Sequence, residues 1–252
     1  MSQLLDNIME TGMISTPQGE SISIKPHSIS RSEGAFLQSL IAEYKPIQTL
    51  EVGMAYGIST LFICDALARV GGTKHIVIDP GQEQSYRNIG RHNVDKAGFG
   101  KMIEFYEMTS DRALPQLAEK GTKLDFAFID GWHTFDFTLV DFYYVDKMLK
   151  PGGVVVLDDA DWAAVRKLCR YIATNLSYKV IVPEKEKQYL NFSWKRNFLN
   201  ILLKTPGIGP LMRRLLKPEI VDSDKVLGLS GSSIAFLKES DDKRSWDHHA
   251  EF

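Results

Sequence analysis

Short apolar runs with β-strand character alternate along most of this chain with longer segments of helical periodicity. Alternation of this kind is typical of an α/β protein in which helices cover a parallel sheet. The predicted strands are residues 47–52, 74–79, 102–107, 124–130, 153–159, 178–183 and 232–238. Helical patterns lie between them at 57–70, 83–97, 111–119, 134–149 and 161–175, and one more precedes the first strand at 32–44.

The composition is that of an ordinary globular protein, with 44% hydrophobic and 25% charged residues. A net charge of -2 argues against a chain-wide surface for nucleic acid. Cys64 and Cys169 are far apart, which excludes a disulfide framework and a zinc-finger spacing. The first residues lack the pattern of a secretory signal, and no apolar run approaches the ~20 residues of a membrane span. We therefore expect a cytoplasmic protein without a transmembrane segment.

Residues 184–231 interrupt the alternation, because a hairpin would join the last two strands through a few residues. Within this segment, residues 194–217 form either a helical lid or a basic amphipathic surface for peripheral membrane contact or a partner. The lid is favoured, since most amphipathic helices face a core. The charged residues between 194 and 217 are all basic, namely Lys195, Arg196, Lys204, Arg213, Arg214 and Lys217. The predicted division is an N-terminal segment (1–45), a ligand-binding core (46–183), the insertion (184–231), a last strand (232–240) and a mobile polar tail (241–252).

A glycine-containing loop follows the first predicted strand in the segment TLEVGMAYGIST, residues 49–60. Gly53 and Gly57 lie between strand and helix, where glycine permits a tight turn and close approach of a ligand to the helix N-terminus. Glu51 ends the first strand and Asp79 ends the second, so both acids lie at the edge of a doubly wound sheet where ligands bind. Together these elements favour an adenosine-type ligand over glycines that serve packing alone.

Acids also end the fourth and fifth predicted strands. The segment LDFAFIDGWHTFDF places Asp130 at a strand end and His133 three residues later, and GVVVLDD ends in Asp158 and Asp159. Taken singly, each acid is explained as the cap of a following helix, and His133 as a helix-start residue bonded to the backbone. Their combination favours a reaction centre at the carboxyl edge of the sheet.

From about Ser30 to Pro183 the sequence resembles class I S-adenosylmethionine-dependent methyltransferases. EVGMAYGIST is similar to the first motif of that family and VIDPG to its second, with Asp79 as the acid that binds the ribose. The resemblance implies a Rossmann-like, doubly wound, mostly parallel seven-stranded sheet of order 3-2-1-4-5-7-6 with helices on both faces. It implies that the amino acid part of the cofactor lies among Glu51, Gly53, Ala55, Tyr56, Gly57, Ser59 and Thr60. The adenine would lie near Thr109, Ser110 and Asp111, although Ser110 and Asp111 would equally serve as a helix cap. The resemblance also places Asp130 among the residues that bind the cofactor.

Residues 129–159 narrow the resemblance to small-molecule O-methyltransferases with a divalent-metal site, of the macrolide sugar and catechol types. In the sheet order of that family strands four and five are neighbours, about 4.8 Å apart, so Asp130 would lie near Asp158 and Asp159. Three carboxylates in one cleft repel each other unless a proton or a cation lies between them. Oxygen ligands suit Mg²⁺ better than zinc, so Mg²⁺ or another divalent cation is expected at these three residues. Asp161 is an alternative ligand, and helix capping without a metal is the other interpretation.

His133 stands where the macrolide sugar group has a histidine and the catechol-type relatives have a lysine. The sulfonium of the cofactor already carries an activated methyl group, so the protein mainly has to align it with the acceptor oxygen. A metal would orient an acceptor hydroxyl and lower its pKa, and an imidazole accepts a proton at neutral pH. The expected catalytic residues are therefore His133, as general base, and Asp130.

The predicted activity is transfer of a methyl group from S-adenosylmethionine to a hydroxyl of a small molecule, such as a sugar or natural product. A nicotinamide-dependent oxidoreductase is one alternative, since its dinucleotide also uses a glycine loop and an acid after the second strand. The missing third glycine counts against it. A non-catalytic binding protein on the same fold is another. A nucleic-acid methyltransferase is disfavoured by the slightly acidic chain, and the sequence leaves homo-oligomer formation open.

Overall fold

The computed structural model describes residues 3–182, 194–216, 218–248 and 250–252, and of residues 194–197, 200, 213, 218 and 219 it describes the backbone only. The strands are β1 Met13–Ser15, β2 Ser21–Ser23, β3 Gln48–Val52, β4 Lys74–Ile78, β5 Ile103–Tyr106, β6 Leu124–Ile129, β7 Leu149–Leu157, β8 Tyr178–Ile181 and β9 Ile234–Lys238. The helices are α1 Gln3–Thr11, α2 Arg31–Tyr44, α3 Ile58–Val70, α4 Ile89–Lys96, α5 Ser110–Glu119, α6 Phe135–Met148, α7 Ala163–Asn175, α8 Trp194–Lys204, α9 Ile208–Leu215, α10 Pro218–Val221 and α11 Asp224–Leu227.

Strands β3 to β9 form one sheet in the order β5-β4-β3-β6-β7-β9-β8. Neighbouring strands from β5 to β7 are parallel, whereas β9 runs antiparallel to both β7 and β8. A parallel sheet needs helices on both faces, and buried residues lie on both, with Leu50 and Ile76 in one core and Val77 and Phe128 in the other. Numbered from β3, the order is 3-2-1-4-5-7-6, so the predicted fold class is confirmed.

The predicted helix over residues 83–97 is wrong in its first half, because α4 begins only at Ile89. Residues 81–88 form tight turns instead, in which the amides of Ser85 and Tyr86 both donate to the carbonyl of Gly81. Asn88 then takes a left-handed φ of 57°. Asparagine tolerates that conformation better than most residues, so the turn stops the helix from extending toward the strand.

The N-terminal segment contains more structure than the sequence indicated. α1 buries Leu5 and Ile8, and β1 pairs with β2 in a short antiparallel hairpin. Each strand has three residues, which is too few to display a period of two. Glu20, in the turn region of this hairpin, lies 2.8 Å from the guanidinium of Arg87. The hairpin is thereby joined to the loop that follows β4.

The insertion leaves and re-enters the sheet at the edge where β6 and β7 end. Ile181 of β8 pairs with Ala235, and Ile234 of β9 pairs with Leu157 at the end of β7. α8 and α9 follow the predicted helical pattern, while residues 184–193 of the predicted insertion lie outside the described residues. In the described parts of the chain, no helix is long and apolar enough to cross a lipid bilayer.

The tail over residues 241–252, predicted to be mobile, is held against α7 near its end. Asn175 donates its side-chain amide to the carbonyl of Ala250 at 3.0 Å and accepts the Ala250 amide at 2.9 Å. The ring of Phe252 lies edge-on to Tyr171, with 5.2 Å between ring centroids. Backbone groups make much of this attachment, and a polar composition does not reveal such bonds. His249 lies outside the described residues.

Candidate active site

The loop after β3 and the ends of β6 and β7 meet at one edge of the sheet. The amide of Gly53 donates to Ile78 at 2.9 Å, that of Asp130 to Val52 at 2.9 Å, and that of Asp158 to Ile129 at 3.0 Å. These bonds continue the ladder of the parallel sheet for one residue beyond the strands. The predicted acids are therefore brought to a common edge by the sheet itself.

A cavity of about 560 Å³ opens at this edge. Its volume lies within the ~300–1,000 Å³ that is usual for small-molecule and cofactor sites. Among the residues predicted for the cofactor, those that line the cavity are Gly53, Ala55, Ser59, Asp79, Thr109, Ser110 and Asp130. Lining residues that sequence reasoning missed include His27, Ser28, Ile29, Tyr86, Trp132 and Phe137. Trp132, at 70% exposed, stands at the cavity as a large aromatic surface.

Asp79 holds the glycine loop in its turned conformation. Its Oδ2 accepts the backbone amides of Met54 and Ala55 at 2.9 and 2.8 Å and the Gln82 side-chain amide at 3.1 Å. Its Oδ1 accepts one hydrogen bond, from the Gly81 amide at 2.6 Å. An ionised carboxylate oxygen has about two acceptor positions, so Oδ1 keeps capacity for a further donor.

Three other predicted cofactor residues lie outside the lining of the cavity. Glu51 is fully buried, accepts the Thr60 hydroxyl at 2.6 Å and lies 3.1 Å from Nε2 of His75. Asp111 is exposed in the first turn of α5. Glu51 and Thr60 thus support the loop through bonds to each other, without bordering the cavity.

Tyr56 and Gly57 also pack beside the cavity without lining it. The Tyr56 ring meets the rings of Tyr86 and His27 edge-on, at centroid distances of 5.3 and 6.1 Å. A Cβ on Gly57 would lie 3.0 Å from the carbonyl oxygen of Gly90, and its φ is +80°. Tyr56 therefore contributes through two aromatic neighbours that do line the cavity, and Gly57 lets α3 approach α4.

Asp130, His133 and Asp159 are gathered into one cluster. One potential ligand atom from each side chain lies within 4.8 Å of the other two. Nε2 of His133 is 3.2 Å from Oδ2 of Asp159, and the Trp162 ring packs on the imidazole at a centroid distance of 5.2 Å. Asp158 is engaged differently, because its Oδ1 accepts the hydroxyl of Ser233. Of the adjacent pair after β7, Asp159 is thus the residue that reaches the histidine.

Glu33 is a further acid near this cluster that sequence reasoning missed. Its two oxygens accept the Ser232 hydroxyl at 2.5 Å and the Ser30 amide at 2.7 Å. Together with the Ser30 hydroxyl it forms a capping box at the start of α2. The Ser-x-x-Glu spacing is a recognisable helix-start signal in the sequence, although it gives no indication that the charge of Glu33 acts on Asp130, Asp158 and Asp159.

Burial, together with the closeness of other acids, raises the pKa of the carboxyl groups in this region. The pKa of Asp130 lies well above its usual range, first because of burial and then because Asp158 and Asp159 are close. Burial raises the pKa of Asp158 to about 7, against the opposing effect of the Ser233 hydroxyl. Burial also raises the pKa of Asp159, and His133 opposes that shift. A cluster of this kind retains a proton or attracts a cation at neutral pH.

Asp141 is a buried acid just outside this cluster. It belongs to α6, and a Cβ on Gly131 would lie 3.2 Å from its Oδ2. Neither of its oxygens has a well-formed hydrogen bond among the described residues. Burial raises its pKa to about 6, and the nearby Ser110 hydroxyl offsets only part of that effect. Asp141 therefore lies between two parts of the chain that border the cavity.

The Asp141→Asn variant is expected to be more stable than the wild type at neutral pH. The Asp141 carboxyl has a pKa of about 6 in the folded chain and about 4 in the unfolded chain, so the folded chain binds its proton more tightly. The free energy of unfolding therefore falls as pH rises from about 4 to about 6 and Asp141 becomes ionised. Removing the charge should raise the unfolding free energy above pH 6 by up to about 3 kcal/mol. Urea unfolding at pH 4.5 and 7.5 measures this difference. The same change at exposed Asp136 of α6 should give no gain, and an equal gain at both positions would contradict the prediction.

Residues 50–160 match the family model described as a methyltransferase domain. Residues 50–160 thus correspond to a methyltransferase domain. This domain spans β3 to β7, and therefore includes the glycine loop, Asp79 and the cluster of Asp130, His133 and Asp159. The resemblance to class I methyltransferases is confirmed.

Two relatives of the methyltransferase domain are named as O-methyltransferases. A caffeoyl-CoA O-methyltransferase of Populus kitakamiensis is 30% identical over 56% of this chain and 58% of its own. A catechol O-methyltransferase of Niastella koreensis is 29% identical over 52% of this chain and 58% of its own. The chain thus spans little more than half the length of these curated relatives.

Solved structures share the fold of the methyltransferase domain. The crystal structure of an O-methyltransferase from Bacillus cereus in complex with SAH has a TM-score of 0.57 and 20% sequence identity. The match covers 73% of this chain and 87% of that one. At this identity the similarity concerns the fold, which agrees with the observed strand order.

Proposed function

We propose that this chain is an S-adenosylmethionine-dependent O-methyltransferase that acts on a hydroxyl group of a small molecule. The observation that carries the proposal is that one cavity is bordered both by the Gly53 loop with Asp79 and by Asp130 of the His133 cluster. A methyl donor and a group that accepts a proton would then meet in one place, as methyl transfer requires. The names of the relatives, which are O-methyltransferases, support the same class of reaction.

The glycine loop and Asp79 would hold the cofactor. Oδ1 of Asp79 has capacity for a ribose hydroxyl, while its Oδ2 keeps the loop amides in place. The lining of the cavity also includes the hydroxyl residues Thr109 and Ser110 and the aromatic residues Trp132 and Phe137. A cavity that combines aromatic surface with hydroxyl groups suits a flat heterocycle with polar edges, such as adenine.

His133 would act as the general base in this proposal. Asp159 contacts the imidazole at 3.2 Å and so fixes its orientation, and Trp162 packs against the ring. An oriented imidazole can take the proton of an acceptor hydroxyl as the oxygen attacks the methyl carbon. Asp130, on the cavity side of the cluster, would then align the acceptor through a hydrogen bond.

The residues of the cluster fit a divalent cation. Asp130 and Asp159 place carboxylate oxygens within 4.8 Å of each other, and carboxylate oxygen is the donor that Mg²⁺ prefers. These two residues would hold a cation and leave the His133 imidazole able to accept a proton, whereas the sequence predicted Asp130, Asp158 and Asp159 with Mg²⁺. The bond of Asp158 to Ser233 disfavours it as a ligand. A bound cation would supply Lewis acidity toward the acceptor hydroxyl.

Cofactor titration tests the proposal directly. S-adenosylhomocysteine should bind the full chain in isothermal calorimetry, while NAD should not. The Asp79→Asn variant should bind S-adenosylhomocysteine at least about tenfold more weakly, since a bond to a charged acceptor is worth about 1.5–3 kcal/mol. Transfer of labelled methyl from S-adenosylmethionine to catechol and to caffeoyl-type acceptors then measures the reaction.

Asp125→Asn is the matched control for Asp79→Asn. Asp125 also accepts two successive backbone amides, of Ile47 and Gln48, both at 3.0 Å, but at the opposite edge of the sheet. Its replacement should lower stability without weakening the affinity for S-adenosylhomocysteine. Binding of NAD instead of S-adenosylhomocysteine would point to an oxidoreductase, and tight S-adenosylhomocysteine binding without any methyl transfer would point to a binding protein.

A further inference from the structure

The paired helices α8 and α9 expose an unusual amount of apolar side chain. On α8, Phe198 and Ile201 are 58% and 63% exposed, and on α9, Leu211 and Leu215 are 56% and 70% exposed. The spacings of three and four residues place each pair on one helical face. Single exposed apolar residues are common, whereas a concentration of them on adjoining helices indicates a contact surface. We call residues 194–216 the basic hairpin.

The basic hairpin is a close-packed unit at its turn. A Cβ on Gly209 would lie 2.3 Å from the carbonyl oxygen of Leu203, so glycine lets α9 approach the end of α8 closely. The amide of Gly209 also donates to Thr205 at 2.9 Å. The apolar faces of the two helices therefore belong to one structural element.

The charges of the hairpin have one sign. Between residues 194 and 217 the sequence contains lysines and arginines but no aspartate or glutamate, although the whole chain has a net charge of -2. Lys204 and Arg214, the two cations whose side chains are described in α8 and α9, are both exposed. Such a contact surface fits a partner with an anionic outer layer, which attracts the lysines and arginines, and an apolar layer below it, which accepts the apolar side chains.

We propose that the basic hairpin docks on an anionic membrane surface, with its apolar side chains at the level of the lipid headgroups. Basic amphipathic helices bind such surfaces by combining apolar burial with attraction to anionic lipid. A second copy of the chain fits less well, because a two-fold contact through this face would set cations against cations. The docking is independent of the proposed methyl transfer.

The position of the hairpin in the fold relates the membrane to the site. The insertion that contains it leaves β8 at Ile181 and rejoins the sheet at Ile234, beside the end of β7. Just before Ile234, the Ser233 hydroxyl donates to Asp158, which is adjacent in sequence to Asp159 of the His133 cluster. The docked element is therefore connected at both ends to the edge of the sheet that carries the cavity.

Vesicle sedimentation with the full chain tests this inference. The chain should sediment with vesicles of phosphatidylcholine mixed with phosphatidylserine, more weakly with phosphatidylcholine alone, and less as the salt concentration rises. The double variant Leu211→Glu and Leu215→Glu should lower partitioning onto the mixed vesicles at least about tenfold. Ile47→Glu, which alters an apolar residue that is 52% exposed at the opposite edge of the sheet, should leave partitioning unchanged.

Several results would overturn the membrane assignment. Absence of sedimentation with mixed vesicles, or equal loss in the Ile47→Glu control, would do so. A wild-type dimer that the double variant converts to a monomer would instead identify the face as an interface between copies. Circular dichroism and S-adenosylhomocysteine affinity of the double variant should match the wild type, which separates loss of docking from loss of folding.

Discussion

Methyl transfer by the His133→Ala variant is expected to be about 10²- to 10⁴-fold slower than by the wild type, as for loss of a general base. The imidazole is held between the Asp159 carboxylate at 3.2 Å and the Trp162 ring, in a cluster that reaches the cavity through Asp130. Without it, the cluster lacks the imidazole that would take the acceptor proton. Single-turnover rates with saturating S-adenosylmethionine and acceptor measure the chemical step.

Two companion variants separate the roles within the cluster. Asp159→Asn removes the charge that orients the imidazole, so it should slow transfer while leaving affinity for S-adenosylhomocysteine unchanged. His248→Ala, which alters an exposed histidine of the tail, should have the wild-type rate. Near-normal rates in both His133→Ala and Asp130→Ala, with cofactor binding retained, would refute the proposed mechanism. If activity persists after all divalent cations are removed by chelation, Asp130 and Asp159 do not act as cation ligands in the reaction, and their roles are to align the acceptor and to orient His133.

Gly53→Ala is expected to abolish cofactor binding and to lower the free energy of unfolding by about 3–5 kcal/mol. Gly53 has a φ of +89°, and a Cβ there would lie 1.9 Å from the carbonyl oxygen of Asp130. The obstacle is backbone of the neighbouring loop, which cannot rotate away as a side chain would. Loop and strand end must therefore separate, and the two halves of the cavity would move apart.

Gly71→Ala provides the matched control for the effect of the positive φ. Gly71 ends α3 with a φ of +82°, but a Cβ there would meet no atom within 4 Å. Its replacement should cost only about 1 kcal/mol and leave cofactor affinity intact. Urea unfolding and S-adenosylhomocysteine calorimetry distinguish the two variants. A Gly53→Ala protein that is as stable as Gly71→Ala and binds the cofactor normally would show that this close approach is not needed.

The sheet and its strand-end acids could be predicted because they depend on local patterns. Parallel strands are buried on both faces, so each is a short apolar run, and an acid that ends such a run must lie at the carboxyl edge. Asp79 and Asp130 were located by this argument. The N-terminal hairpin was missed, since strands such as Met13–Ser15 are too short to display a period.

The division of roles between Asp158 and Asp159 could not be predicted, because adjacent residues differ only in the conformation of the turn. Asp159 has a left-handed φ of 49°, which turns the chain so that its side chain reaches His133. Asp158 accepts the hydroxyl of Ser233, which is distant in sequence and lies just before β9. Glu33 was missed for the same reason, since its partner Ser232 is also distant in sequence.

The carboxylate of Asp79 has a consequence for the thermodynamics of ligand capture. It binds the amides of Met54 and Ala55 in the ligand-free chain, so the backbone of the glycine loop is already ordered before any ligand arrives. The conformational entropy of that loop is lost when the chain folds, so this loss does not reduce the affinity for a ligand that binds later. Cofactor and spent product should therefore exchange without a slow rearrangement of the loop, with association rates that vary little between the two.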